Sequence, residues 1–189
     1  LQGPSQYSTL PEHAHSGVTL TTGHLTHTGG NDVPSNMGVK TGKFYAEVII
    51  DTSDSSSNKT HLGICATGIR HFRAENSNSH IINQLDAVMI RSDANGPYTY
   101  NGRGGITSWT AVTVDTDVGF TVGDTVGIQL DMDNKFVKIY INGVLRNHYT
   151  FVLANTFEKM YFYGRNNGSG KTTWNFGQKP YEYTPPPGF

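Results

Sequence analysis

Thr125-Val126-Gly127-Ile128-Gln129-Leu130-Asp131-Met132, Asp133-Asn134-Lys135, Phe136-Val137-Lys138-Ile139-Tyr140-Ile141, Asn142-Gly143 and Val144-Leu145-Arg146-Asn147-His148-Tyr149-Thr150-Phe151 follow one another without a break. Apolar residues stand at 126, 128, 130 and 132, and again at 137, 139 and 141. That period of two turns one face of each segment toward a core, which marks a half-buried strand. Asp133-Asn134-Lys135 reads as a turn. Asn142-Gly143 is the favoured two-residue hairpin connection, because both residues tolerate φ > 0.

The same pattern extends outward. Val18 to Thr22, Lys43 to Asp51, Leu62 to Gly68, Ala87 to Ile90, Pro97 to Asn101, Met160 to Tyr163 and Thr172 to Phe176 read as strands. Thr52 to Lys59 is polar and reads as an exposed loop, and Ile69 to Leu85 is irregular. One-turn pieces near 78–85 and 154–159 are the only helix candidates. Many short strands with frequent turns indicate a two-sheet sandwich. There is no internal boundary and no repeat. Residues 1–15 read as an N-terminal extension or expression scar, and residues 16–189 as one domain.

Composition agrees. The chain has 189 residues, a size suited to one domain. Its 22 threonines equal its leucines, alanines and glutamates combined. Threonine is stiff at χ1 and suits a pleated surface, whereas the other three lose little in a helix. Helix bundles and doubly wound α/β folds are therefore disfavoured. Net charge of −1 offers no basic footprint for nucleic acid. No run of about 18 apolar residues is present, so no membrane-spanning helix is expected. No charged-then-apolar leader opens the chain. One cysteine, Cys65, rules out an internal disulfide and reads as a small buried hydrophobe.

Candidate chemistry is thin. Gly168-Ser169-Gly170-Lys171-Thr172 resembles the end of a phosphate-binding loop, but position 165 is Arg where a glycine is needed, and a strand pattern follows where a helix is needed. It reads as a hairpin loop. Glu47 and Asp51 would lie ~13 Å apart on a strand, too far for a glycosidase pair at roughly 5–9.5 Å. Both read as solvated. Asp131-Met132-Asp133-Asn134 and Asp115-Thr116-Asp117 lack the rest of a calcium loop and read as turn residues. His13, His15, His24 and His27 cluster near the N-terminus without a sulfur ligand, so no metal site is expected. No cofactor motif stands out. Asn58-Lys59-Thr60 and Asn167-Gly168-Ser169 fit the glycosylation pattern. No Gly-x-Ser-x-Gly elbow is present, so a hydrolase nucleophile lacks support.

Four segments in order resemble the SPRY domain, the core of the B30.2 module. Gly42-Lys43-Phe44-Tyr45-Ala46-Glu47-Val48 is similar to the family's "GkyYwEV" strand, with Ala46 where an aromatic is usual. Leu62-Gly63-Ile64-Cys65 is similar to "iGva". Residues 123–133 with Ile139-Tyr140-Ile141-Asn142-Gly143 are similar to "GDvIGv-lD-d" and "fy-NG". Asn175-Phe176-Gly177-Gln178-Lys179-Pro180-Tyr181 with Tyr183, Pro185 and Pro186 is similar to "NFG--pF-y-P". The resemblance covers about residues 16–187. It implies an all-β fold, a bent antiparallel β-sandwich of the concanavalin-like two-sheet jelly-roll kind. It also implies binding without catalysis, through loops at one edge. The ending from Trp174 to Phe189 resembles SPRY-like modules in tailed-phage tail and fibre proteins.

Strand residues Tyr45, Ile128, Phe136, Tyr140, Trp174 and Phe176 are expected in the core. Loop aromatics and arginines bring contact area and polar reach at modest entropic cost. The binding candidates are therefore Arg70, His71, Phe72, Arg73, Tyr98, Tyr100, Arg103, Trp109 and Arg165. The leading expectation is a non-catalytic phage tail-fibre or virion-surface module that recognises a host glycan or protein, as a homotrimer if it belongs to a fibre. The alternatives are a cytoplasmic SPRY adaptor that binds a short peptide, a structural virion assembly domain, and a sandwich-fold glycan hydrolase.

Overall fold

The alternation of residues 125–151 becomes three neighbouring antiparallel strands within a larger sheet. The computed structural model describes residues 10, 19–21, 23, 25–30, 32–52, 60–66, 86–92, 97–101, 106–116, 119–155, 158–166 and 168–189, excepting the side chains of Tyr100 and Asn101. Among these residues run β1 (Thr19–Thr21), β2 (Thr26–Thr28), β3 (Asp32–Pro34), β4 (Lys43–Thr52), β5 (His61–Cys65), β6 (Asp86–Arg91) and β7 (Pro97–Asn101). They continue with β8 (Ile106–Thr113), β9 (Thr125–Asp131), β10 (Phe136–Ile141), β11 (Val144–Leu153), β12 (Tyr161–Arg165) and β13 (Lys171–Asn175). One sheet has eight strands in the order β1-β2-β13-β4-β9-β10-β11-β8; the other has five, in the order β3-β12-β5-β6-β7. All pairings are antiparallel, so the two-sheet sandwich expected from the sequence is the observed architecture.

The core lies where the two inner faces meet. Ala46, Val48 and Ile50 of β4, Val126, Ile128 and Leu130 of β9, and Val137 and Ile139 of β10 come from one sheet. Leu62 and Ile64 of β5, Val88 and Ile90 of β6, and Phe162 of β12 come from the other. Burying each such side chain stabilises the fold by roughly 1.5–3 kcal/mol. Asn142 and Gly143 turn at φ 51° and 76°, the left-handed pair that a tight hairpin requires. The Asn142 side chain accepts from the Thr125 amide at 2.9 Å and donates to Asp124 at 2.7 Å, which ties this turn to the start of β9.

Part of the outer face of the eight-stranded sheet, over β4 and β10, is covered by the chain's own C-terminal segment. Glu47, read from sequence as solvated, is only 2% exposed. Its Oε2 accepts the Glu182 amide at 2.7 Å, and its Oε1 accepts the Tyr183 amide at 2.9 Å and the Tyr45 hydroxyl at 3.3 Å. Tyr181 donates to the Tyr45 carbonyl at 2.9 Å, and their rings meet edge to face at 4.9 Å. Burial raises the Tyr45 hydroxyl far above its ordinary pKa, and the Glu47 charge adds to the shift. Phe189 reaches Phe136, with Lys43 above its ring. β9 is consequently buried on both faces, although its outward residues Gln129 and Asp131 are polar.

Other expectations are corrected. Of the six residues expected in the core, Ile128, Trp174 and Phe176 lie between the sheets and Tyr45 is buried beneath the C-terminal segment on the outer face, whereas Phe136 and Tyr140 stand partly exposed on that outer face. The glycines of 168–170 do serve a turn, with Gly168 at φ 57°. It is no hairpin, however, because β12 and β13 lie in different sheets. Asp131 is buried in the β9–β10 turn and accepts the Asp133 amide at 3.0 Å, the Asn134 amide at 2.8 Å and the Asn134 side chain at 2.9 Å. Burial alone would raise its carboxyl, but these donors outweigh it and hold the group below the usual range. His27 points into the core opposite Thr172 and is fully buried. Burial lowers its ring to about 4, and the Gly29 backbone offsets part of the shift. Asn166 donates to the His27 carbonyl at 2.8 Å.

Candidate functional site

The five-stranded sheet carries polar and aromatic residues on the face turned away from the core. Alternation decides which residues those are. Leu62 and Ile64 point inward, so His61, Gly63 and Cys65 point outward, and direct pairing carries this parity across the sheet. Asp32 pairs with Arg165, Arg165 with His61, and His61 with Arg91, which forms one row across four strands. The next row is Pro34, Tyr163, Gly63, Met89 and Tyr98.

The second row and its neighbours form an apolar floor. Cys65, Ala87, Met89 and Tyr163 are closed to solvent, with Tyr98 and Tyr161 packed against them and partly exposed. The buried cysteine expected from sequence lies here. β5 needs glycine at position 63, because a Cβ there would collide with the Val88 carbonyl oxygen and lie 2.7 Å from the Met89 Cα. The Tyr163 hydroxyl donates to Asp32 Oδ1, and burial together with that charge raises the phenol well above its ordinary pKa.

The charged row flanks this floor. Arg91 lies over the Tyr98 ring, its guanidinium carbon 4.9 Å from the centroid, a contact favouring a held, planar cation. Arg165 Nη1 lies 4.0 Å from Asp32 Oδ1, and Arg165 Nε has no hydrogen-bond partner. A tenth of the Arg165 side chain (11%) remains exposed. The face thus carries two guanidiniums, an imidazole that is only 7% exposed and two partly exposed tyrosines. Among the described residues no three His, Cys, Asp or Glu side chains are grouped to hold a metal.

The candidates named from sequence fall into three groups. Arg70, His71, Phe72, Arg73 and Arg103 lie outside the described residues, and of Tyr100 only the backbone in β7 is described. Tyr98 and Arg165 share this outer face, three strands apart, or ~14 Å at the usual strand spacing. Trp109 does not join them. It sits in β8, an element missed in the sequence, and packs against Phe151 of the core with ring centroids 5.4 Å apart. Sequence reasoning also missed Arg91, His61 and Asp32. Arg91 ends the apolar run 87–90, a visible signal, but nothing local says that β6 lies beside β5 or that β5 lies beside β12.

A family model for the SPRY domain matches residues 43–164. Compared by sequence, no curated protein matches significantly. Among solved structures, the chain is similar to the SPRY domain of human HERC1, at 15% identity and a TM-score of 0.58, covering 86% of this chain and 94% of that one. It is similar to the TRIM65 PSpry domain at 12% identity and a TM-score of 0.61, covering 90% of each chain. It is also similar to stonustoxin at 16% identity and a TM-score of 0.56, covering 90% of this chain but only 27% of that one. At these identities the structural likenesses speak for the fold alone. The motif order, the two antiparallel sheets and the family match over most of the chain together place this protein in the SPRY domain family.

Proposed function

We propose that the chain is a non-catalytic recognition module that binds a segment of a protein partner at the β6–β7 end of its five-stranded sheet, where Arg91 and Tyr98 are partly exposed. SPRY domains are in general binding modules. The observation that carries the assignment to this face is the Arg91–Tyr98 stack on the same surface as Arg165, beside an apolar floor. Arginine and tyrosine are the residue types that dominate interface energetics, because each combines area with directional polar contact. A rigid sheet holds them at fixed spacing, so little ordering cost is added on binding. The test is selection of a random peptide library on the protein, followed by affinity measurement with Tyr98→Ala. The proposal expects at least a tenfold loss with the fold intact. Unchanged affinity refutes this face.

A second reading concerns the setting. The ending 174–189 resembles tailed-phage tail and fibre modules, which favours a virion-surface domain that meets a host glycan or protein, as a trimer if it stands in a fibre. In the structure most of this ending lies over the outer face of the eight-stranded sheet, through Glu47, Tyr45 and Phe136. Its residues thus have a packing role that a cytoplasmic adaptor would need equally. Labelled protein that binds whole bacteria and scatters light as a trimer supports the virion setting. A monomer that ignores bacteria and binds cytosolic peptides supports the adaptor.

A further inference from the structure

We infer that the free edge of β8 pairs with the same edge of a second copy of this chain, antiparallel across a two-fold axis, so that two eight-stranded sheets become one. The inference is independent of the recognition reading above, because Arg91 and Tyr98 lie in the other sheet.

Each sheet ends in two edge strands, and an unpaired edge is a template for another strand. Among the described residues, three of the four edges are ill suited to that. β1 and β3 have three residues each, and β3 ends in Pro34. β7 has five and begins with Pro97. Proline lacks the N–H that a ladder needs. β8 has eight residues and no proline. No charged residue stands from Ile106 to Val114, so the edge lacks the lysines that commonly keep strands apart. The next residue, Asp115, is paired with Arg146 at 3.2 Å.

The exposed apolar surface gathers at the same place. Five of the seven exposed large apolar residues, Val112, Val114, Val144, Leu145 and Val152, lie on β8 and its neighbour β11 or directly beside them. Scattered singly such residues need no explanation, but their concentration marks an interaction surface. Ala111 stands directly opposite Tyr149, which faces the core, and yet Ala111 is exposed, so the core-facing side of β8 is open at this end.

The chemistry of the edge selects a second copy. It carries no charge to choose a partner of opposite sign, and an uncharged strand meets its own copy without like-charge repulsion. Thr, Trp and Val favour strands, so each edge is a suitable strand for the other. The pairing of β8 with β11 skips Thr107 and Val112 and is regular from Ser108 to Ala111. In a continuous antiparallel sheet each face remains one face, so the two-fold axis passes through a residue. With the axis at Thr110, Trp109 of one copy lies opposite Ala111 of the other, large against small, and the two Thr110 side chains meet. Such an isologous contact closes as a dimer.

The experiment follows the whole chain by sedimentation over a concentration series. One strand edge supplies less than the roughly 1,200 Å² of a stable interface, so the expected Kd is on the order of 0.1 mM. Thr110 is exposed, so Thr110→Lys and Thr110→Glu should keep the fold and its Tm. Each sets like charges opposite one another and should weaken association at least about tenfold, whereas the two variants mixed should associate again. Met37→Lys, at an exposed position just after β3, should change nothing. A wild type that stays monomeric at about 1 mM, a trimer, or a dimer indifferent to both Thr110 variants overturns the inference. Loss in each variant without recovery on mixing overturns the axis at Thr110. A monomer whose β8 amides gain protection from hydrogen exchange only with an added extended peptide assigns the edge to another partner and overturns self-pairing.

Discussion

Replacing Glu47 by Gln tests how the C-terminal segment is held. The carboxylate is 2% exposed and accepts two backbone amides, from Glu182 at 2.7 Å and Tyr183 at 2.9 Å. The Tyr45 hydroxyl donates to it as a third partner. Hydrogen bonds to charged groups contribute roughly 1.5–3 kcal/mol each. Glutamine keeps one oxygen and turns an NH₂ toward an N–H, so one bond is lost and one donor is left facing another. Detachment of the segment into water limits the damage, because water then satisfies both amides. The expected loss is about 3 kcal/mol. For a domain of this length that lowers Tm by about 6–12 °C. Hydrogen exchange supplies the local readout: the amides of Glu182 and Tyr183 should exchange faster by at least about tenfold, while those of β9 change less. A variant with unchanged protection at 182 and 183, and Tm within about 1 °C of wild type, would refute the role given to Glu47.

Three further outcomes are expected. His27 has its pKa lowered from 6.5 to about 4, so the unfolded chain takes up a proton that the fold excludes; stability is full above about pH 6.5 and falls by up to about 3 kcal/mol as the pH drops toward 4. Urea unfolding at several pH values should show this loss in wild type and a flatter profile in His27→Leu; parallel profiles would sink the assignment. Gly164 sits where a Cβ would lie 2.6 Å from Trp174 Cζ2, so Gly164→Ala should cost about 1–3 kcal/mol and shift the tryptophan fluorescence. Trp109→Ala should cost about 2 kcal/mol by emptying its packing against Phe151; a variant of unchanged stability that no longer binds would return Trp109 to the binding surface.

The strands around 125–151 were legible because each turns an apolar face to the core and each is closed by a turn with its own chemistry, as at Asn142-Gly143. β8 was missed because its side chains are mostly half-exposed or exposed, so Ile106 to Thr113 shows no clean alternation. β3 was missed because it is three residues long and ends in Pro34, which an edge strand tolerates. The threonines divide in the same way. Thr19, Thr21 and Thr113 do face solvent, whereas Thr125 and Thr172 are buried. Period two assigns two faces to a strand, and it does not say which face a later segment will cover.

The amino-acid sequence alone established the class, an antiparallel β-sandwich, because periodicity, turn residues and composition are local properties that act wherever the chain lies; the SPRY kind came from the resemblance of four motif segments in order. It also nominated Tyr98 and Arg165 as binding candidates, because their chemistry travels with the residue. Only the tertiary structure decided that they share a face with Arg91, that Trp109 turns toward the core, and that Glu47 holds the chain's own ending. Those outcomes depend on which segments become neighbours, and strand pairing joins residues as far apart as Thr26 and Thr173, while a hydrogen bond from Tyr183 ties the ending to Glu47. No local pattern encodes such a contact, because its free energy exists only once both sheets have formed.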